Sequence, residues 1–222
     1  IGNAAQFTAA TGEYLSIADN ADLSVEGEVD FLISAWVYLD SKGADRQIVS
    51  KRSAGAGEYQ LGFNNTPDRF VFTYWNGSAV EARANSLGSP SLSTWYFVVG
   101  WHDAASNTAN IQVNNGTVDS TATGGTNAEA TSATFNIGSE QGTGNFMNGR
   151  IDEVAFWKKV LATQEKTDLY NSGNADKFGY PGIPTNMTDD DWVNSLSDKD
   201  QSAKSQELIT VDRNWYNGIS KT

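Results

Sequence analysis

Three kinds of residues in this sequence could do chemistry: adjacent carboxylates, one histidine, and tryptophans close to turns. Asp152 and Glu153 are neighbours in an apolar run, so on a strand their side chains would point to opposite faces. Paired carboxylates that cleave a glycosidic bond must flank it, about 5 Å apart in retaining enzymes. His102 is the only histidine, and no Gly-x-Ser-x-Gly turn supplies a serine nucleophile. We therefore expect a non-catalytic chain, with a glycosidase as the third alternative.

The tryptophans favour ligand binding over catalysis. Trp75 directly precedes the turn residues Asn76 and Gly77, so we expect its ring to be partly exposed. Sugars stack their apolar C–H faces on such rings, while neighbouring Asn and Arg side chains hydrogen-bond the hydroxyls. The candidate ligand-binding residues are Trp75, Asn76, Arg69 and Trp101. For each of them, a role in closing the apolar core is the alternative.

Composition limits the partners of the chain. The formal net charge is −12 over 222 residues, which disfavours nucleic acid and anionic membrane surfaces. Such acidity fits divalent cations, and it fits simple solubility equally. The sequence has no cysteine, so disulfides and thiolate metal sites are excluded. No apolar run approaches the ~20 residues of a membrane-spanning helix.

The elements that would position these residues are short strands separated by turns. Residues 31–39 and 95–101 are apolar on both faces, which predicts central strands. Asn76-Gly77 and Asn115-Gly116 predict tight hairpins. The strands 5–7 and 14–17 are expected to pair across a turn at Thr11-Gly12. Further strands are predicted at 47–50, 59–63, 69–75, 80–84, 110–113, 117–120, 134–138 and 150–157. This spacing is typical of an antiparallel β-sandwich.

Two short helices interrupt the strand pattern. Thr163 can cap a helix over 164–171, with Glu165 in its first turn. Thr188 can cap a second helix that begins with three aspartates. We place a boundary after residue 178, because the last ~40 residues are too few for a core of their own. The extension 179–222 must then pack on the sandwich or on a partner.

Four stretches resemble the laminin-G-like jelly-roll family of the concanavalin A-like superfamily. They are 31–37, 95–99, 111–116 and 149–154, and the last leads into 161–165, where the family places a short helix. The resemblance spans residues 5–173 and implies a laminin-G-like sandwich over 1–178. The sequence departs from the family at Tyr96, which stands where members often have His after the tryptophan. A role that depends on that His is therefore not expected here.

The resemblance also implies a structural calcium ion. Members of the superfamily commonly hold Ca²⁺ near the last strand with one carboxylate and backbone carbonyls of an early turn. In this sequence Asp152 and carbonyls near Gly12 would be the ligands, and oxygen donors suit Ca²⁺. The alternative is that Asp152 accepts backbone N–H groups or pairs with Arg150.

The sequence therefore predicts a non-catalytic binding or adhesion module, with carbohydrate or a surface protein as partner. Its expected location is extracellular, on a cell surface or on a virion. The main alternative is a structural subunit of a larger assembly, with the extension 179–222 contacting neighbours or a second copy.

Overall fold

The computed structural model describes residues 4–125, 128–173 and 209–210, which form two packed antiparallel sheets. The seven-stranded sheet runs in the order β1 (Ala5–Phe7), β12 (Gly149–Trp157), β3 (Phe31–Leu39), β8 (Trp95–Asp103), β9 (Thr108–Val113) and β10 (Asp119–Ala122), and β13 (Ile209–Thr210) also pairs with β12. The six-stranded sheet runs β2 (Leu15–Ile17), β11 (Phe135–Ile137), β4 (Arg46–Ser53), β5 (Ala56–Asn64), β6 (Arg69–Trp75) and β7 (Ala79–Arg83). The predicted β-sandwich is confirmed.

Alternation of apolar side chains explains the two layers. Tyr59 and Leu61 of β5, and Phe72 and Tyr74 of β6, point into the space between the sheets. There they meet β3, where Phe31 packs against Tyr59 at 5.3 Å between ring centroids. β3 and β8 are central strands, as their apolar residues on both faces predict.

The two N-terminal strands do not pair with each other, so that expectation is wrong. β1 pairs with β12, with Phe7 opposite Gly149, whereas β2 pairs with β11 in the other sheet. Between them the chain turns at residues 8–12, where Gly12 adopts a φ of +69°. Pairing with β12 buries Phe7 in the core, and this burial stabilises β1 more than an isolated two-stranded hairpin would.

Both Asn-Gly hairpins form, but with different turns from those expected. Trp75 pairs with Ala79, so the β6–β7 loop has three residues, and among them Gly77 has a φ of +94°. In the β9–β10 connection Asn114 and Asn115 have positive φ, and Gly116 does not. The Asn114 carboxamide oxygen accepts the N–H of Phe97 at 2.8 Å, which favours this turn.

The helix α1 (Thr163–Tyr170) follows β12 and lies on the outer face of the seven-stranded sheet. Its N-cap is Ala162 and not Thr163, which is the first helical residue. The Glu165 carboxylate accepts the Ala162 N–H at 2.7 Å and so satisfies one of the N–H groups at this end of the helix. Over the described ranges, no helix is long and apolar enough to cross a membrane. The helix predicted at Thr188 and the boundary at 178 lie outside the described residues.

A buried ion pair links the six-stranded sheet to two loops. The side chains of Lys51 and Glu58 are both 0% exposed, and they contact each other at 2.5 Å. Lys51 also contacts Asp19 at 2.9 Å. Glu58 accepts the Val25 N–H at 2.8 Å and the Thr131 hydroxyl at 3.0 Å. The loop before β3 and the loop before β11 are therefore fixed to the sheet through one pair of charges.

Candidate functional site

Arg69 and Trp75 lie at opposite ends of β6. They are six positions apart, about 20 Å at the usual rise of a strand. The Arg69 guanidinium donates to the carbonyl of Asp68 at 2.8 Å, at the far end of the sheet from Trp75. The structure therefore does not bring these two predicted ligand-binding residues together.

Trp101 lies on the other sheet, away from Trp75. Its ring is on the outer face of β8 within the cluster covered by α1. The Lys166 ammonium of α1 lies 3.9 Å from the centroid of this ring. Trp101 thus belongs to the packing of the helix, with the sandwich core between it and Trp75.

The ring of Trp75 lies on the outer face of the six-stranded sheet and is 9% exposed, less than the sequence predicts. Gly57 makes room for it, because a Cβ at this position would stand 2.8 Å from the ring atom Cδ2. The Arg52 guanidinium lies 4.9 Å from the ring centroid. A polar and flexible side chain therefore lies over the Trp75 ring.

Asn76 is the predicted residue that stays beside Trp75. It follows Trp75 in the turn, and its carboxamide NH₂ donates to the carbonyl of Thr123 at 2.7 Å. Asn76 is therefore held by the segment after β10, and its carboxamide oxygen accepts the Ser78 hydroxyl at 3.5 Å.

A row of polar side chains crosses the same outer face next to Trp75. Four residues that lie opposite one another on adjacent strands form this row: Asn136, Ser50, Gln60 and Thr73. We call them the polar row. Each alternates with core residues on its strand, so the polar row faces away from the core. The row thus places hydroxyl and carboxamide groups beside an aromatic ring, with the Ser50 hydroxyl donating to the carbonyl of Ser139 and the Asn136 carboxamide donating to the carbonyl of Thr134.

Two buried glutamines on this face have carboxamide atoms without hydrogen-bond partners in the described structure. Gln60 and Gln47 are each 5% exposed. Nε2 of Gln60 and Oε1 of Gln47 are the unpartnered atoms. A buried polar atom without a partner is unfavourable by about 1–3 kcal/mol, so a hydroxyl-bearing molecule that supplied these bonds would be stabilised there.

Arg52 is held over this face by two residues of the loop after β11. Its Nη1 forms an ion pair with Oε1 of Glu140, and the Asn145 carboxamide donates to Oε2 of the same carboxylate. We call Arg52, Glu140 and Asn145 the strap. It runs from the ring of Trp75 to the β11 side of the sheet, beside the polar row.

The residues predicted to bind calcium are not adjacent. Gly12 lies against the ring of Phe146, just before β12, whereas Asp152 lies three residues beyond Gly149 on that strand, roughly 10 Å further. Burial raises the pKa of Asp152, and its Oδ1 accepts the N–H of Glu153 at 3.0 Å. A role of Asp152 and of carbonyls near Gly12 in binding Ca²⁺ stays a prediction.

A second surface feature is a groove of about 620 Å³ at the end of the sandwich where β3 begins. Asp19, Glu26, Asp30 and Lys158 line it, together with short apolar side chains. Lys158 donates to the carbonyl of Ala21 at 2.6 Å, which fixes one wall. The described residues that line the groove carry a net negative charge and include no aromatic ring, so they provide no stacking platform.

These features define a β-sandwich with a polar and aromatic outer face. A laminin G family model, described as the concanavalin A-like lectin/glucanases superfamily, matches residues 9–165. The match covers most of the chain, and the protein therefore belongs to this family, as its sequence motifs predict. No curated protein matches the sequence.

Solved structures share the fold at low sequence identity. One is a candidate carbohydrate-binding protein from Bacteroides ovatus ATCC 8483, with a TM-score of 0.56, 16% identity, and coverage of 72% of this chain and 44% of that one. Another is the binding domain of botulinum neurotoxin serotype G, with a TM-score of 0.57, 14% identity, and coverage of 71% and 40%. The chain thus spans less than half of these structures.

The structure adds residues to the face that the sequence motifs do not indicate. Gln60 could have been found, because it alternates with the apolar residues of β5. Arg52 and Glu140 could not, because they are 88 positions apart and neither belongs to a motif.

Proposed function

We propose that this protein is a non-catalytic carbohydrate-binding module, and that the outer face of the six-stranded sheet is its ligand site. The observation that carries the proposal is the position of the Trp75 ring beside a row of polar side chains with unpartnered carboxamide atoms. Its membership of a lectin and glucanase superfamily agrees with this class of ligand. The adjacent carboxylates Asp152 and Glu153 lie next to a bulge of β12 in the other sheet, so this pair does not act on a ligand at this face.

Recognition would combine stacking with hydrogen bonds. An apolar C–H face of a sugar ring fits a tryptophan ring, and vicinal hydroxyls can pair with the donor and acceptor atoms of carboxamides. Nε2 of Gln60 is a donor and Oε1 of Gln47 an acceptor without a partner, so each could bond a sugar hydroxyl group. The net charge of −12 favours a neutral glycan over an acidic one.

The setting we propose is extracellular or at a surface, either of a cell or of a virion. A protein partner at such a surface is the alternative ligand. A structural role without a glycan, in which residues 179–222 contact neighbours, is the rival function.

Binding of neutral oligosaccharides on a glycan array tests the proposal. Trp75→Ala should weaken binding roughly tenfold, because the ring stacking and its buried area are lost. Trp95→Ala is the matched control, since that ring lies on β8 of the other sheet against Tyr38. The glycan site would be rejected if no array glycan binds at high protein concentration, or if both variants lose the same amount of glycan affinity.

A further inference from the structure

The face of Trp75 that a sugar would need is already occupied. The Arg52 guanidinium lies 4.9 Å from the ring centroid, at the distance of a cation–π contact. A Cβ at Gly57 would stand 2.8 Å from Cδ2 of Trp75 and 3.1 Å from Cβ of Arg52, so the missing side chain lets the indole and the guanidinium meet across β5. A ligand that stacks on this face must first displace Arg52.

The strap holds Arg52 by charge at a partly exposed position. The side chains of Arg52 and Glu140 are 23% and 17% exposed, so water can replace each partner when the pair opens. Nε of Arg52 is buried and has no hydrogen-bond partner among residues 4–125 and 128–173. The closed arrangement therefore leaves one strong donor unsatisfied, which favours opening.

We propose that the strap is a built-in gate of the binding face, in which Arg52 takes the place of the ligand on Trp75. This inference rests on the proposed function and adds its regulation. In the closed state the ion pair with Glu140 keeps the guanidinium on the ring, and in the open state the ring is available for stacking. The measured association constant for a glycan is then the intrinsic one multiplied by the fraction of molecules whose strap is open.

The polar row next to the ring is also buried, since Ser50, Gln60 and Thr73 are hardly exposed. The Ser50 hydroxyl already donates to the carbonyl of Ser139, so the part of the face that the gate releases is the ring of Trp75. Movement of one arginine side chain would do this without a change in the backbone of the sheet. The gate thus needs only a rotamer change, which is fast on the timescale of binding.

The variant Glu140→Gln tests the gate, because it removes the charge that holds Arg52 and keeps a similar shape. The dissociation constant of a neutral oligosaccharide found on the array should fall up to about fivefold, the factor for a partly exposed ion pair. Asp68→Asn is the matched control. It breaks the pair between Lys42 and Asp68, which is 2.8 Å long with side chains 23% and 38% exposed, at the other end of the sheet.

A second measurement does not depend on a glycan. Acrylamide quenching of fluorescence reports the exposure of Trp75, and the contribution of this residue is the difference between a protein and its Trp75→Phe variant. We expect this contribution to be larger in the Glu140→Gln background than in the wild-type background. Unchanged quenching overturns the gate even if the protein binds sugars. Increased quenching without any glycan binding keeps the gate and rejects the glycan as its ligand. Weaker glycan binding by Glu140→Gln would make Glu140 a ligand contact and would also overturn the gate.

Discussion

Replacement of Lys51 by methionine should destabilise the sandwich strongly. The variant leaves the Glu58 carboxylate fully buried with no cation beside it. Removing one partner of a buried pair typically lowers the free energy of unfolding by about 3–5 kcal/mol. Glu58 keeps the donors of Val25 and Thr131, so we expect the lower end, about 3 kcal/mol.

Urea unfolding followed by tryptophan fluorescence measures this loss. With a slope near 2 kcal/mol per M, the midpoint should fall by roughly 1.5 M. Lys42→Met is the control, because its pair with Asp68 is partly exposed and should contribute less than about 0.5 kcal/mol.

The double variant Lys51→Met/Glu58→Leu decides whether the pair itself is responsible. It removes both charges together, so it should recover much of the loss. A loss below about 1 kcal/mol in Lys51→Met, or a double variant as unstable as the sum of both single variants, would refute the reasoning.

Four further changes have expected outcomes. Gly57→Ala should lower the free energy of unfolding by about 1–3 kcal/mol and should also weaken glycan binding, because the new Cβ would meet the Trp75 ring at 2.8 Å. Urea titration measures the first effect and the glycan array the second. Asp152→Asn should raise the melting temperature at pH 7 in calcium-free buffer, since burial raises the pKa of this carboxyl and its charge disfavours folding. That gain in melting temperature should vanish as the pH falls below about 4, the pKa of an aspartate in the unfolded chain. If calcium raises the melting temperature of the wild type but not of Asp152→Asn, Asp152 is a calcium ligand. Ala162→Asp should raise the melting temperature by about 2–4 °C, because the N-cap has no side-chain hydrogen bond. Deletion of residues 179–222 should abolish any self-association in light scattering if the extension joins copies, and an unchanged mass would count against that role.

The strands and their faces could be predicted because they depend on local alternation. Residues 69–75 form a strand with the expected bounds, and the central position of β3 and β8 follows from their apolar residues on both faces. The partner of β1 could not be predicted, since pairing with β12 depends on burial of Phe7 against residues far along the chain.

The candidate site could be predicted only in part. The turn after Trp75 marks the end of β6, but the exposure of the ring depends on Arg52 and on the missing side chain of Gly57, which lie on neighbouring strands. Arg69 shares a strand with Trp75, and sequence proximity alone suggested a common site. The two residues lie at opposite ends of β6, and the extended backbone of a strand places them too far apart for one site.

The pairing of the first strands with the last ones constrains how the protein is made. Ala5 pairs with Ile151 and Ile17 pairs with Phe135, so neither sheet can be completed on the ribosome until the second half of the chain has been synthesised. Until then the apolar face of β3 has only part of its cover, and such intermediates are prone to aggregate. Biosynthetic yield should therefore be more sensitive to substitutions in β11 and β12 than to equally destabilising ones in the β6–β7 hairpin, which can form from adjacent residues as soon as it emerges.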